Sequence, residues 1–251
     1  DETTIKPMMD FYESHQDNCR VMMGLHPEGV KEDYKRHLSV IEKEMEKNCW
    51  VGVGEIGLDL YWDKTFETQQ VEVLTEQLRW AKQLHLPVSL HTREAFDLMF
   101  KVLEKEQDGN LSGIFHCFNG TKEQAEIAMS LGFHLGLGGV ITYKNCDVKS
   151  FLGEIPINKI VLETDDPYLP PVPYRGKRNE PSYMIEVTKK IAEVKNIDIK
   201  EVAEATTHNA KQLFNKTRPF CMAKLALGAV TVLLSTILFL ILLGIGWLFG
   251  D

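Results

Sequence analysis

Five side chains that can bind metal ions or transfer protons each stand where a short apolar run of the sequence ends. They are His26, Glu55, His91, His116 and Asp165. Imidazole and carboxylate groups together are the ligands of Zn²⁺, Mn²⁺ and Fe, whereas carboxylates with water suit Mg²⁺. Glu55, His91, His116 and Asp165 are such a set, and their recurrence at successive run ends indicates a shared metal site. The histidines away from such ends are predicted to be structural: His15, His37, His85, His134 and His208.

Short apolar or β-branched runs alternate with amphipathic segments along the chain. The runs predict strands at residues 20–25, 50–54, 87–90, 113–115, 133–137 and 159–162. The amphipathic segments predict helices at residues 33–47, 66–84, 93–106, 122–130, 181–195 and 200–214. This alternation is typical of a parallel sheet with crossover helices.

The alternation fits both an open doubly wound sheet and an α/β barrel of the TIM type. We favour the TIM-type (β/α) barrel, because polar residues recur at the ends of many strands and do not cluster in the first βα turn. The glycines at 52–54 and 136–139 match no phosphate-binding loop, and close packing of strands explains them better. A closed barrel needs eight strands and only six are visible, so we expect that the barrel is truncated and lacks an N-terminal strand pair.

The composition sets limits on the function. The chain has 251 residues, 44% of them apolar and 25% charged, which is typical of a globular protein and excludes a disordered chain. Its net charge of -8 provides no general attraction for nucleic acid, so any phosphate binding must be local. The five cysteines are scattered and odd in number, which predicts reduced thiols in an intracellular compartment.

The short sequence motifs around the candidate ligands identify a family. In chain order they are GLHP at 24–27, GEIGLD at 54–59, PVSLHTREA at 87–95, HCFNG at 116–120 and ETDDPYL at 163–169. With RGKRNEP at 175–181 and NAKQLF at 209–214, the pattern closely resembles the TatD-like metal-dependent deoxyribonucleases, a branch of the amidohydrolase-type barrels. The resemblance covers residues 1–216.

The resemblance implies a metal-dependent nuclease that acts on DNA, either single-stranded or with free ends. It implies two divalent ions, Mg²⁺, Mn²⁺ or Zn²⁺, with Glu55 bridging them, His91 and His116 completing one site and Asp165 holding the other. Asp165 would also orient or deprotonate the attacking water. Two cations about 3.5 to 4 Å apart suit an in-line phosphodiester displacement.

One feature departs from the resembled family, whose members begin with a strand carrying a His-x-His pair. No His-x-His occurs in this sequence, so we expect the ion at Asp165 to be short of ligands and the chain to be a poor nuclease.

For substrate binding we predict His26 and three arginines on mouth-side loops, Arg93, Arg175 and Arg178, which would supply local positive charge. The aromatic residues near the mouth are predicted to pack under the loops in preference to stacking on bases: Tyr61, Trp62, Phe118 and Tyr168.

Residues 217–251 lie outside the family pattern. Residues 225–249 carry no charge and are numerous enough to span a bilayer as a helix. Lysine and arginine precede this segment and only Asp251 follows it, so we predict a cytoplasmic barrel anchored to a membrane at its C-terminus. Alternatively, Met222 marks the start of a fused reading frame.

Two other functions stay open at this stage. One is an amidohydrolase or phosphotriesterase acting on a small substrate, and the other is a catalytically impaired, membrane-tethered fragment. The sequence predicts neither the preferred metal nor the oligomeric state.

Overall fold

The computed structural model describes residues 1–47 and 49–214, which contain six strands and seven α-helices. The strands are β1 Val21–Met23, β2 Trp50–Asp59, β3 Val88–Arg93, β4 Gly113–Phe115, β5 His134–Leu137 and β6 Ile160–Leu162. The helices are α1 Ile5–Ser14, α2 Tyr34–Glu44, α3 Glu67–Leu84, α4 Phe96–Glu106, α5 Lys122–Ser130, α6 Met184–Lys195 and α7 Ile199–Phe214. Four short 3₁₀ turns between residues 139 and 159 connect β5 to β6 without an α-helix.

All six strands form one sheet and pair in chain order, β1 to β6, each parallel to its neighbour. Helices cross over between most successive strands, so the predicted α/β architecture of the TIM-barrel type is confirmed. Because neighbouring strands are parallel, their carboxyl ends lie along the same edge of the sheet.

Two strands run further than the sequence predicted. We expected the second strand to end at Gly54 and the third at Leu90, but β2 continues to Asp59 and β3 to Arg93. The two strands stay paired beyond the predicted ends, with Gly57 opposite His91 and Asp59 opposite Arg93. The polar residues Glu55 and His91 therefore do not end them. The prediction that Arg93 lies on a loop is therefore wrong, and α4 begins at Phe96.

Alternation of side chains along the strands divides the apolar residues between two faces of the sheet. Most of the core lies between the sheet and the helices, and Phe115 and Leu135 there are fully buried. Ile114 and Val161 belong to a second, smaller cluster, which the C-terminal end of α7 covers with Leu213 and Phe214. The end of α7 thus packs against strand residues that do not face the other helices.

The predicted tail domain, 217–251, and its apolar segment, 225–249, lie outside the described residues, so membrane anchorage stays a prediction. In the part of the chain that is described, none of the helices has the length and apolar character needed to cross a bilayer. No disulfide joins the four cysteines of that part.

Candidate metal centre

The predicted ligands come together at the carboxyl edge of the sheet. Glu55 lies on β2 and His91 on β3, whereas His116 directly follows β4 and Asp165 follows β6. The Oε1 atom of Glu55 is 2.9 Å from Nδ1 of His91 and 3.8 Å from Nε2 of His116. The same Nε2 of His116 is 3.4 Å from Oδ1 of Asp165. His116 therefore lies between the two carboxylates, and one glutamate oxygen approaches both imidazoles.

His26, which follows β1, also contacts this cluster. Its Nε2 is 3.6 Å from Oε1 of Glu55, and its ring packs edge-on against His91 with 4.6 Å between the centroids. The ligand atoms of His26, Glu55 and His91 all lie within 4.8 Å of one another.

The hydrogen bonding of His26 distinguishes it from the other two histidines. The backbone N–H of Glu28 donates to its Nδ1 at 3.2 Å, so this nitrogen carries the lone pair. In the neutral ring the proton is then on Nε2, the atom that faces Glu55. His26 is consequently arranged to donate a hydrogen bond into the site, and its neutral tautomer offers no lone pair to a metal there. This chemistry favours the predicted substrate role over a ligand role.

His91 is oriented in the opposite way by a buried carboxylate. Its Nε2 is 2.9 Å from Oδ2 of Asp59, which is only 4% exposed. Gln70 fixes the Asp59 backbone, because its side chain accepts a hydrogen bond from the Asp59 N–H at 2.9 Å and donates one to the carbonyl at 3.0 Å. The Asp59 carboxylate holds a proton on Nε2, so Nδ1, which hydrogen-bonds Glu55 at 2.9 Å, is the nitrogen that a metal would take once its own proton is lost.

Glu163 orients His116 in the same manner. Its Oε2 is 2.9 Å from Nδ1 of His116, and its Oε1 accepts a hydrogen bond from the Cys117 N–H at 2.6 Å. The sequence predicted no site role for Glu163 or for Asp59. The available signal was spacing: Glu163 precedes Asp165 by two residues, and Asp59 ends the same strand that carries Glu55.

The comparisons with known proteins identify the family of this chain. A family model described as TatD related DNase matches residues 1–215. The chain belongs to this family. Two TatD-family relatives are the uncharacterized metal-dependent hydrolases YabD of Bacillus subtilis and YcfH of Escherichia coli. YabD is 39% identical over 85% of this chain and 84% of its own length, and YcfH is 30% identical over 80% and 75%, respectively.

A solved structure of the TatD homologue YjjV from Escherichia coli also matches this chain. It superimposes with a TM-score of 0.80 at 30% sequence identity, covering 85% of this chain and 83% of YjjV.

In this TatD-family site the buried charges shift the pKa values of the histidines upward. Burial alone disfavours the imidazolium of His91, but its hydrogen bonds and charge interactions with Glu55 and Asp59 outweigh burial and raise its pKa. Burial likewise opposes protonation of His116, yet Glu163 and Asp165 hold its pKa well above the usual value. Although burial would raise the pKa of Glu55, hydrogen bonds to His26 and His91 and the charge of His116 lower it. Glu55 is thus a carboxylate at any physiological pH.

This donor set fits a divalent ion. Each of His91 and His116 directs one nitrogen toward Glu55 and has a carboxylate on the other, the arrangement found in histidines that bind metals. An excess of negative charge around two imidazoles with raised pKa values is also what a cation would neutralise. The side chains of this site therefore have the chemistry of a metal centre.

The predicted substrate residues have different surroundings. The guanidinium of Arg93 lies 3.9 Å from the centre of the Tyr61 ring, and that of Arg175 lies 4.0 Å from the centre of the Tyr143 ring. Among the described residues, no carboxylate forms an ion pair with Arg93, Arg175 or Arg178. Their charges remain available to an anionic substrate.

Proposed function

We propose that the protein is a divalent-metal-dependent phosphodiesterase that cleaves DNA, acting on strands that are unpaired or have free ends. The observation that carries this proposal is the position of Glu55 Oε1 within 3.8 Å of the inward nitrogens of His91 and His116. The opposite nitrogen of each ring faces a buried carboxylate. Membership of the TatD family, whose relatives are metal-dependent hydrolases, supports hydrolysis as the reaction.

Two ions are proposed, Mg²⁺, Mn²⁺ or Zn²⁺. Glu55, His91 and His116 would hold one of them, and Glu55 with Asp165 would hold the other. Bound there, divalent ions would supply Lewis-acid stabilisation of the phosphate oxygens and a water of lowered pKa.

The residues of the chain itself bind and orient the substrate. The Oδ1 atom of Asp165 is in a position to accept the proton of the attacking water, because it lies at the mouth beside His116. Arg93 and Arg175, both without a carboxylate partner among the described residues, would bind phosphate oxygens. His26 donates from Nε2 toward the same space. Because the net charge is -8, these few donors must supply the local attraction for a polyanion.

The test is hydrolysis of end-labelled single-stranded DNA by the full chain, with Mg²⁺, Mn²⁺ or Zn²⁺ added separately. Metal-dependent release of nucleotides is expected, together with its loss in Asp165→Asn. His208→Asn is the matched control, since this exposed imidazole on α7 is remote from the metal centre. Hydrolysis of lactones, amides or phosphotriesters without any release of nucleotides would replace the proposal by the small-substrate alternative.

A further inference from the structure

Two exposed aromatic side chains stand beside the metal centre. Trp62 is 74% exposed and Tyr61 is 50% exposed, and their rings meet edge to face with 4.6 Å between the centroids. In contrast, Phe118 is buried among other phenylalanines, so packing under the loops explains Phe118 but not this pair. A tryptophan left largely in solvent is unusual in a protein that can bury its apolar surface, and such patches commonly mark binding sites.

Arg93 completes this patch. Its guanidinium lies over the Tyr61 ring at 3.9 Å and 5.6 Å from the centre of the Trp62 ring. In the part of the chain that the structure describes, no hydrogen bond or ion pair engages this guanidinium. The rings hold it in place as a cation–π partner, and its N–H donors stay available to a ligand.

The patch has a fixed position relative to the metal ligands. Asp59 accepts a hydrogen bond from the Tyr61 N–H on Oδ1 at 3.0 Å, while its Oδ2 contacts His91. Arg93 follows His91 by two residues on β3, so the two side chains leave the same face about 7 Å apart along the strand. The Asp59 carboxylate and strand β3 thus fix the position of the aromatic patch relative to His91.

A cavity of about 1000 Å³ opens beside these residues and extends from Tyr61 and Arg93 to Asn119 and Lys122. Its wall also carries acidic side chains, among them Glu94 and Asp147. Lys101 and Lys122 line it as well, so the charges on the wall are mixed, and contacts of the uncharged bases would add to any local attraction of a nucleic-acid strand. The volume leaves room for a nucleotide against Tyr61 and Arg93.

We propose that Trp62, Tyr61 and Arg93 form a subsite for the unpaired nucleotide adjacent to the scissile phosphate. The base stacks on the aromatic rings and the guanidinium binds the neighbouring phosphate. This inference rests on the proposed phosphodiesterase function. It also explains a requirement for unpaired strands, because a base inside a duplex is already stacked on its neighbours and cannot lie on a protein ring.

The experiment measures binding and cleavage separately. A fluorescently labelled thymidine oligomer and an abasic oligomer of equal length are titrated with the full chain without added metal, using anisotropy. Trp62→Ala is expected to weaken binding of the thymidine oligomer about tenfold, the effect of losing one base–aromatic stack. The abasic oligomer should bind wild type and Trp62→Ala alike, and Trp62→Phe should retain most of the affinity.

Phe11→Ala is the matched control, because Phe11 is also a half-exposed aromatic residue but stacks on His15, which directly follows its own helix. Arg93→Gln should lower the slope of log affinity against log salt by about 0.7, the value for one phosphate contact with a single strand. Trp62→Ala should leave that slope unchanged, since stacking releases no counterion.

Equal losses for the thymidine and abasic oligomers, or no loss for either, would overturn the subsite. Failure of the phosphodiesterase proposal has a different signature. In that case base-dependent binding through Trp62 persists, but no added metal yields nucleotides. Conversely, cleavage with the same KM in wild type and Trp62→Ala refutes the subsite and leaves the phosphodiesterase proposal intact.

Discussion

The carboxylate of Glu163 connects the ring of His116 to the backbone of the next residue. Oε2 lies 2.9 Å from His116 Nδ1, and Oε1 accepts the Cys117 N–H at 2.6 Å. Glu163 is only 3% exposed, so this geometry is held rigidly and away from water. The orientation of His116 toward Glu55 and Asp165 thus depends on Glu163, which is not itself one of the proposed ligands.

Glu163→Gln should lower the affinity for a divalent ion by about 10- to 100-fold, the usual effect of losing the partner of a metal-binding histidine. The amide keeps the shape of the carboxylate but not its charge, so the ring is oriented less strongly. Calorimetric titration with Mn²⁺ measures the change. Glu106→Gln is the control, because Glu106 is a buried glutamate paired with Arg79 and Lys82 away from the site. Equal losses in both variants would indicate general destabilisation.

The sequence predicted the strands, and the polar side chains at their carboxyl ends, well because both follow a local pattern. An apolar run followed by a polar residue is enough to place His116 and Asp165 at strand ends. The motifs of the resembled family supplied the order of these residues along the chain. The ends of β2 and β3 escaped prediction because β2 pairs with β3 from Ile56 to Asp59, beyond the polar Glu55, and such pairing depends on the neighbouring strand. A local sequence pattern does not show which strand, 30 or more residues away, a segment will pair with.

The supporting residues were missed for the same physical reason. Asp59 and Glu163 act through rings that other strands position, and their spacing from Glu55 and Asp165 is a weak signal that does not reveal which ring each one contacts. The proton position on His26 depends on one backbone N–H, that of Glu28, and is also invisible in the sequence. The exposure of Trp62 and the burial of Phe118 likewise appear only once the loops are placed.

Metal binding should release protons and weaken as the pH falls. The raised pKa values of His91 and His116 mean that, in the metal-free protein, both rings keep their second proton to a higher pH than an ordinary histidine does. An ion must displace these protons, whereas Glu55, whose pKa is lowered, contributes none. Affinity should therefore rise with pH until the raised pKa values are passed. Calorimetry in two buffers of different ionisation enthalpy counts the protons, and His208→Asn should give the wild-type count. Zero release at neutral pH would contradict the prediction.

The spacing between β2 and β3 at the site depends on Gly57. It pairs with His91 in the sheet, and a Cβ atom at Gly57 would lie 1.9 Å from the His91 carbonyl oxygen, with φ at +152°. Gly57→Ala should destabilise the fold by at least about 3 kcal/mol, because overpacking and backbone strain add. It should also weaken metal binding, since β3 must move with His91.

Gly109→Ala is the matched control for Gly57→Ala. Gly109 also has a positive φ, +91°, but no atom lies within 4 Å of its hypothetical Cβ. Only backbone strain is expected there, about 1 kcal/mol, with unchanged metal affinity. Thermal unfolding and Mn²⁺ titration of both variants separate close packing from conformational strain. Similar losses of stability in the two variants would show that the contact with His91 is not the cause.

His26 provides a test of which histidines bind the metal. By distance it groups with Glu55 and His91, but its Nδ1 accepts the Glu28 N–H and its neutral ring has the proton on Nε2. Binding a metal through Nε2 would move the proton to Nδ1, where it would oppose the Glu28 N–H. His91 and His116 meet no such conflict, because their outer nitrogens face carboxylates that accept a proton.

His26→Ala should therefore leave the affinity for Mn²⁺ within about threefold of wild type, while His91→Ala and His116→Ala should each lose at least about 100-fold, as expected when a ligand is removed. The substrate role predicts instead that His26→Ala raises KM for an oligonucleotide, because a hydrogen-bond donor facing the site is lost. Calorimetric titration and steady-state kinetics on the same preparations give both quantities. If His26→Ala abolishes metal binding as His116→Ala does, the proton is on Nδ1 in the metal-bound state. The energy of coordination then exceeds the cost of breaking the contact with Glu28, and His26 is a ligand.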